Sequence, residues 1–191
     1  MININDETFS PEYLVNAAII FIPIFIVLVM IRIIKCFRSH INIEKELIIF
    51  SFLYYIYKVF DLTVFPIFWF VNRKELPSYG QLLYFEKAPL LLFSNFNYYT
   101  LYNVIGNMLL FLPMGFYMGI FIKEYNMKKN IRIIFLMSLA IECTQLIMSF
   151  FYFGNRIFDV NDLLFNTIGG VIGYLLYVSP VGKYIAKLYT Q

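Results

Sequence analysis

The sequence predicts an all-α fold, a polytopic integral membrane helical bundle of about five transmembrane helices. Three observations lead to this prediction. Of the 191 residues, 61% are hydrophobic and only 14% are charged, whereas roughly a quarter of the residues of a soluble domain are charged. The mean hydropathy is +0.72, and the apolar residues fall into five long runs. This composition excludes a soluble globular enzyme, and its 22 Phe and 16 Tyr exclude a disordered chain.

Each apolar run approaches the ~20 residues that a helix needs to cross the hydrocarbon core of a bilayer. The five predicted crossings are 14–31, 47–68, 101–122, 133–150 and 163–178. Acidic residues, among them Asp6 and Glu12, precede the first crossing where a signal peptide would have a basic segment. We therefore expect this first crossing to be a retained anchor, kinked near Pro23.

The basic residues between the crossings predict the orientation. Ten of them share one side of the membrane: Arg32, Lys35, Arg38, Lys45, Lys123, Lys128, Lys129, Arg132, Lys183 and Lys187. Four lie on the other side: Arg73, Lys74, Lys87 and Arg156. Because cytoplasmic loops carry the excess of Lys and Arg, the N-terminus is predicted outside and the C-terminus inside the cell.

This topology divides the chain into three parts. Residues 1–46 form an N-terminal tail, the first helix and a basic cytoplasmic loop, residues 47–178 a four-helix membrane domain, and residues 179–191 a basic cytoplasmic tail. The external loop 69–100 is rich in aromatic residues, which settle at headgroup depth. It is either a re-entrant or surface-lying segment that seals the helical bundle, or a lid or wall over a binding cleft.

Few residues outside the later crossings suggest chemistry. Cys36, Cys143 and His40 follow no spacing of metal ligands or of a nucleophile with its base. Lys58 and Asp61 lie three residues apart in the second crossing, so they share a helix face and are predicted to form an ion pair. We expect no zinc site and no nucleic-acid binding.

Polar side chains of the last three crossings form the candidate binding site. These are Asn103, Asn107, Glu142, Gln145, Arg156, Asp159, Asp162 and Asn166. In the predicted orientation all eight lie in the outer half of the membrane. A charged group within the bilayer costs several kcal/mol, about 2.5–3.5 at its centre, so it normally faces protein or water. Three helices with polar stripes at the same depth are therefore expected to turn those stripes toward each other.

Structural roles are open for several of these residues. Asp159 has the place of a helix N-cap, and Asp162 lies in the first turn, where an acidic side chain suits the helix dipole. Arg156 has a possible role in neutralising one of the acids, and the Asn side chains in joining helices by hydrogen bonds. GxxxG pairs at Gly115/Gly119 and Gly169/Gly173 predict close helix packing.

The order and spacing of the motifs resemble the VanZ-like family of small bacterial membrane proteins. The resemblance covers residues 47–178 and rests on Asn103-Val-Ile-Gly106-Asn107, Leu110-Phe-Leu-Pro113-Met-Gly115, Ile141-Glu142-Cys-Thr-Gln145, Arg156-Ile-Phe-Asp159-Val-Asn-Asp162 and Asn166-Thr-Ile-Gly169. It implies a multi-pass protein of the bacterial cell membrane. It also implies a link to lowered susceptibility to teicoplanin-type glycopeptides.

Two functions are open at this point. One is the binding of a cell-surface ligand (a lipid headgroup, a wall precursor or a glycopeptide) in an outer-leaflet polar pocket. The alternative is an outer-leaflet hydrolase or transferase acting on a lipid-linked envelope precursor, with Glu142 and Asp162 as acid/base groups. No cofactor is expected, although the acids with Asn would suit a Mg²⁺ or Ca²⁺ ion. A third interpretation gives the polar residues only a structural role.

Overall fold

The computed structural model describes residues 1–4, 7–36, 42–81, 85–86 and 98–190. The described chain is mostly helical, with six α-helices and several two- or three-residue strands. It divides into two compact units, which are described separately. The first comprises Met1–Leu83 and Ile147–Arg156, and the second comprises Tyr84–Leu146 and Ile157–Thr190.

The first unit is built on two helices, α1 (Ala17–Cys36) and α2 (Ile43–Thr63). Strands β1 (Ile2–Ile4) and β2 (Glu7–Phe9) form an antiparallel hairpin. Strand β3 (Tyr13–Val15) pairs antiparallel with β4 (Ile67–Trp69), and a short 3₁₀ helix follows at Arg73–Glu75.

Ion pairs act within and between the two helices of the first unit. Arg32 of α1 donates to Glu46 of α2 over 2.9 Å. Lys58 donates to Asp61 one turn later in α2, over 3.0 Å. The pair predicted from the spacing of Lys58 and Asp61 is therefore confirmed.

The predicted ends of the first two crossings are wrong. Residues 14 and 15 belong to β3, so α1 begins only at Ala17, and α2 ends at Thr63 instead of residue 68. Pro66 disfavours helical backbone at Phe65 and has no N–H to continue the helix. The chain after it instead extends into β4, whose backbone groups bond to β3.

Three longer helices and one short one make up most of the second unit. They are α3 (Tyr98–Phe121), α4 (Met127–Phe150, whose last turn belongs to the first unit), α5 (Val160–Val178) and α6 (Pro180–Thr190). Strand β5 (Phe85–Glu86) pairs parallel with β6 (Phe158–Asp159), just before α5.

Glycines let the backbones of α3 and α5 approach closely. A Cβ atom at Gly169 would collide with the carbonyl of Met108, and one at Gly173 with the carbonyl of Leu112. On the facing helix, a Cβ at Gly115 would collide with the carbonyl of Gly170. The close packing predicted from the two GxxxG pairs is therefore confirmed.

A buried polar network lies at the α3–α4 turn. The Tyr125 hydroxyl donates to Asn130 Oδ1 over 2.9 Å, and the Asn130 amide donates to the Gly170 carbonyl over 3.1 Å. One turn along α4, the buried side chain of Ile134 lies directly over Gly170, where a Cβ would collide with it. Asn130 therefore joins the start of α4 to the middle of α5.

This network predicts how stability depends on pH. Burial raises the pKa of Tyr125 above its ordinary value of 10.0, so the unfolded chain loses that proton first as the pH rises. The contribution of Tyr125 is fully present below about pH 10 and is lost as the pH climbs through the folded-state pKa. Thermal unfolding of the detergent-solubilised protein between pH 8 and 12 measures it. Tyr125→Phe should flatten the alkaline decline, whereas the exposed control Tyr184→Phe should not.

Three helices of the described chain are long and apolar enough to cross a membrane: 17–34 in α1, 101–121 in α3, and α4. The pair α5–α6, bent by 76°, makes a fourth if it is counted as one span. Helix α2 falls outside this group because it has charged residues near both ends, such as Glu46 and Asp61. The described chain thus has three or four candidate spans, against the five predicted.

Two other sequence predictions concern the loop and the tail. Residues 180–190 of the predicted basic tail form helix α6, because their apolar and basic side chains repeat with helical period. Only part of the aromatic loop 69–100 is described, as β4, the 3₁₀ helix, β5 and the start of α3. Several residues named above lie outside the described residues: Asp6, Arg38, His40 and Lys87.

Ser149 holds the end of α4 in the first unit. Its hydroxyl donates to the Arg156 carbonyl over 2.6 Å and accepts from the Arg156 N–H over 2.9 Å, and Ser149 is buried. Ser149→Ala should lower the free energy of unfolding by about 1–3 kcal/mol, because both backbone groups lose their partner. Denaturation in detergent checks this. The control Thr144→Ala, exposed on the same helix, should change stability by less than ~0.5 kcal/mol.

Candidate functional site

The start of α5 joins all three long helices of the second unit through polar side chains. The Asn107 amide of α3 donates to the Asp162 carboxylate of α5. Glu142 Oε2 of α4 accepts from the backbone N–H of Asp159 over 3.0 Å. Asn107, Glu142, Asp159 and Asp162 are called the acidic cluster below.

Helix capping accounts for part of this geometry. Asp159 is the N-cap of α5, and its carboxylate accepts from the backbone N–H of Asn161 over 2.7 Å and from the Asn161 amide over 2.9 Å. Asp162 lies in the first turn, where its charge suits the positive end of the helix dipole. Capping therefore occupies one oxygen of Asp159, but it does not explain Glu142.

Glu142 is the most deeply buried acid of the cluster, with 1% of its surface exposed. One turn earlier in α4, Ser138 accepts from the Asn166 amide of α5 over 2.8 Å. Asn166 is only 3% exposed, and its Oδ1 has no hydrogen-bond partner; the same holds for Oδ1 of the buried Asn161. Buried acceptors without a donor are costly in proteins. These two amide oxygens are therefore available to a bound donor group.

The remaining predicted site residues lie in different environments. Asn103 is exposed on α3, one turn before Asn107, and Gln145 is buried on α4, one turn after Glu142. Arg156 belongs to the first unit, where its guanidinium donates to the Phe65 carbonyl over 2.9 Å. Burial lowers the pKa of Arg156. Its neutralisation of an acid in the second unit stays a prediction.

Residues 52–182 match the family model described as VanZ/LLP1. This match covers more than half of the chain. The chain belongs to the VanZ/LLP1 family. It is also 30% identical over 75 residues to Protein VanZ of Enterococcus faecium, an alignment that covers 39% of this chain and 44% of that protein. The chain thus spans less than half the length of this VanZ relative. No solved structure matches the chain.

Sequence reasoning missed three polar residues of the VanZ/LLP1 region. Ser138 lies on the same face of α4 as Glu142, at a spacing of four residues. Asn130 is buried near the start of α4, and Asn161 lies between Asp159 and Asp162. The four-residue spacing of Ser138 from Glu142 was a readable signal of a shared face. Ser and Asn alone, however, are common in helices and loops, so neither residue type indicates a site.

The charge of the cluster favours ligands that donate hydrogen bonds. Among the described residues of the second unit, no Lys or Arg lies within 4 Å of the carboxylates of Glu142 or Asp159. Among the described residues, no three His, Cys, Asp or Glu side chains lie close enough to share a metal ion. A Mg²⁺ or Ca²⁺ ion held by the acids together with Asn stays a prediction. Amine or hydroxyl groups suit this set of acceptors better.

Proposed function

We propose that this VanZ/LLP1 protein binds an amine- or hydroxyl-bearing ligand of the cell surface in its acidic cluster. The ligand is a lipid headgroup, a lipid-linked wall precursor or a glycopeptide antibiotic, and binding lowers susceptibility to teicoplanin-type glycopeptides. One observation carries the proposal. Glu142 is buried, and among the described residues of its unit it accepts one hydrogen bond, from the Asp159 N–H, and has no Lys or Arg partner.

The membrane arrangement proposed for this function is the five-span topology. Helix α2 has 21 residues and is about 31 Å long at 1.5 Å per residue, enough to cross the hydrocarbon core. The excess of basic residues at the α3–α4 turn and on α6 supports placing those elements in the cytoplasm. The acidic cluster, at the opposite ends of α3 and α5, then opens toward the cell exterior.

The second candidate function is catalysis on a lipid-linked envelope precursor. It is favoured by the different environments of its two carboxylates. Glu142 is buried, whereas Asp162 is partly exposed, and a pair of carboxylates in unlike surroundings suits acid and base roles. Turnover of a purified lipid-linked precursor by the full chain, lost in Glu142→Gln, would identify the protein as an enzyme.

Asp162→Asn tests the binding proposal with little change in shape. The full chain in nanodiscs is titrated with teicoplanin and, separately, with a lipid-linked wall precursor. We expect affinity for one of them to fall about tenfold, the equivalent of ~1.4 kcal/mol, because the site loses a charge. Cells producing the variant should be more susceptible to teicoplanin than cells producing the wild-type protein.

Asp61→Asn is the matched control, because it removes an acid from α2 in the first unit. It should leave affinity and susceptibility unchanged. If wild-type protein binds neither probe and deletion of the gene leaves susceptibility unchanged, the proposed function is wrong.

A further inference from the structure

Helix α6 is amphipathic and turns sharply away from α5. The bend between the two helices is 76°. With 19 residues, α5 alone is about 28 Å long, which nearly equals the ~30 Å hydrocarbon core. Helix α6 is therefore not needed to complete the crossing, and the bend turns it toward the plane of the membrane surface.

The surface of α6 divides into three faces at 100° per residue. Gly182 and Tyr189 face the protein: Gly182 packs against the carbonyls of Leu176 and Tyr177, and the Tyr189 ring packs edge-on against Phe121 of α3. A second face is apolar and exposed, with Val181 at 69% and Tyr184 at 64% exposure. The third face has Lys183, Lys187 and Thr190, all exposed.

Other basic residues lie at the same end of the second unit. The α3–α4 turn and the start of α4 have exposed Lys and Arg side chains, and α6 adds two more. This basic collar comprises Lys123, Lys128, Lys129, Arg132, Lys183 and Lys187. Glu124 is the one acid among residues 122–132, so the net charge of the collar is strongly positive.

We propose that α6 lies in the interface of the membrane leaflet at this end of the protein and that the basic collar binds the phosphate headgroups of anionic phospholipids. An interfacial helix has this combination of an exposed apolar face and a basic face. Val181 and Tyr184 enter the boundary between headgroups and acyl chains, while the lysines reach the phosphates. Charge complementarity identifies the occupant, because each basic residue near an anionic surface adds attraction.

The first experiment measures the depth of α6 in the full chain reconstituted into vesicles. Trp69, the one tryptophan of the chain, is replaced by Phe, and Trp is placed at Tyr184→Trp or at the matched control Thr190→Trp. We expect shallow brominated lipids to quench the emission of Tyr184→Trp at least twice as strongly as that of Thr190→Trp. Iodide in the aqueous phase should give the opposite order.

Two results of this experiment would overturn the interfacial placement. If bromines at the bilayer centre quench Tyr184→Trp most strongly, α6 continues the crossing as part of a broken span. If iodide quenches both variants equally and brominated lipids quench neither, the helix projects into water.

A second experiment tests the lipid preference of the collar. Tyr184→Trp protein is reconstituted with brominated phosphatidylglycerol at a fixed fraction of phosphatidylcholine, and then with the bromines on the phosphatidylcholine. We expect preferential quenching by the anionic lipid, reduced roughly fivefold by each removed lysine in Lys183→Gln and Lys187→Gln. If both lipids quench Tyr184→Trp equally in the protein that keeps all basic residues of the collar, the collar has no preference for anionic lipid. Neither readout depends on the acidic cluster, so this inference and the proposed function fail separately.

Discussion

Replacing Gly173 with leucine is expected to prevent the second unit from folding. The Cα of Gly173 lies against the Leu112 carbonyl of α3, where even a methyl group would collide with backbone. Backbone atoms in two packed helices have no rotamer to change, so the helices must separate and lose their shared contact surface. We expect Gly173→Leu to abolish the monodisperse folded fraction in size-exclusion chromatography. Gly173→Ala should keep part of that fraction and lower the free energy of unfolding by about 1–3 kcal/mol.

Gly106 of α3 provides the matched control. A Cβ added there meets no atom within 4 Å, so Gly106→Leu should elute and unfold like the wild-type protein. Equal elution and unfolding of Gly173→Leu and wild type would show that α3 and α5 do not pack as described.

Exchanging Glu142 for glutamine is expected to separate its structural role from its role in binding. Glutamine keeps a side-chain oxygen that can accept from the Asp159 N–H, now 3.0 Å from Glu142 Oε2, but it removes the charge. We expect Glu142→Gln to unfold within ~0.5 kcal/mol of wild type. Its affinity for whichever of the two probes the wild-type protein binds should fall on the order of 100-fold. Glu142→Ala removes both functions and should also destabilise the protein by about 1–3 kcal/mol.

The same titrations in nanodiscs measure both variants, and circular dichroism melting in detergent gives their stability. Full affinity in Glu142→Gln would show that Glu142 only accepts a backbone hydrogen bond and that the acidic cluster joins helices. If Glu142→Gln loses both its affinity and its fold, the affinity of Asp162→Asn decides whether the acidic cluster binds the ligand.

The spacing of residues along the sequence predicts contacts within a single helix and close packing of helices at small residues. The Lys58–Asp61 pair follows from a separation of three residues, and the Asp159 cap from an acid placed before an apolar run. The glycine pairs predict close packing because a residue without a side chain lets two helix backbones approach each other. These signals are local, so neighbouring residues in the sequence are sufficient to read them.

Features that depend on distant residues were not predicted. The pairing of β3 with β4 joins residues more than 50 positions apart, and the apolar side chains of those strands are equally compatible with a helix. Residues 179–191 are predicted as a basic tail from their lysines alone. The helical period of the basic and apolar residues in this segment, which would predict α6, does not enter that prediction. In the site, Asn107, Glu142 and Asp162 are predicted in the outer half of the membrane from their positions along the crossings. Ser138 and Asn161 carry no charge, and uncharged polar residues are common in helices, so their residue types do not indicate a site.

The contact of Ile134 with Gly170 separates two groups of hydrogen-bonded side chains in the second unit. Ser138, Glu142 and Asn166 lie on one side of this contact, and Tyr125 and Asn130 lie on the other. The apolar side chain of Ile134 therefore lies between the buried polar groups near the start of α4 and those farther along it.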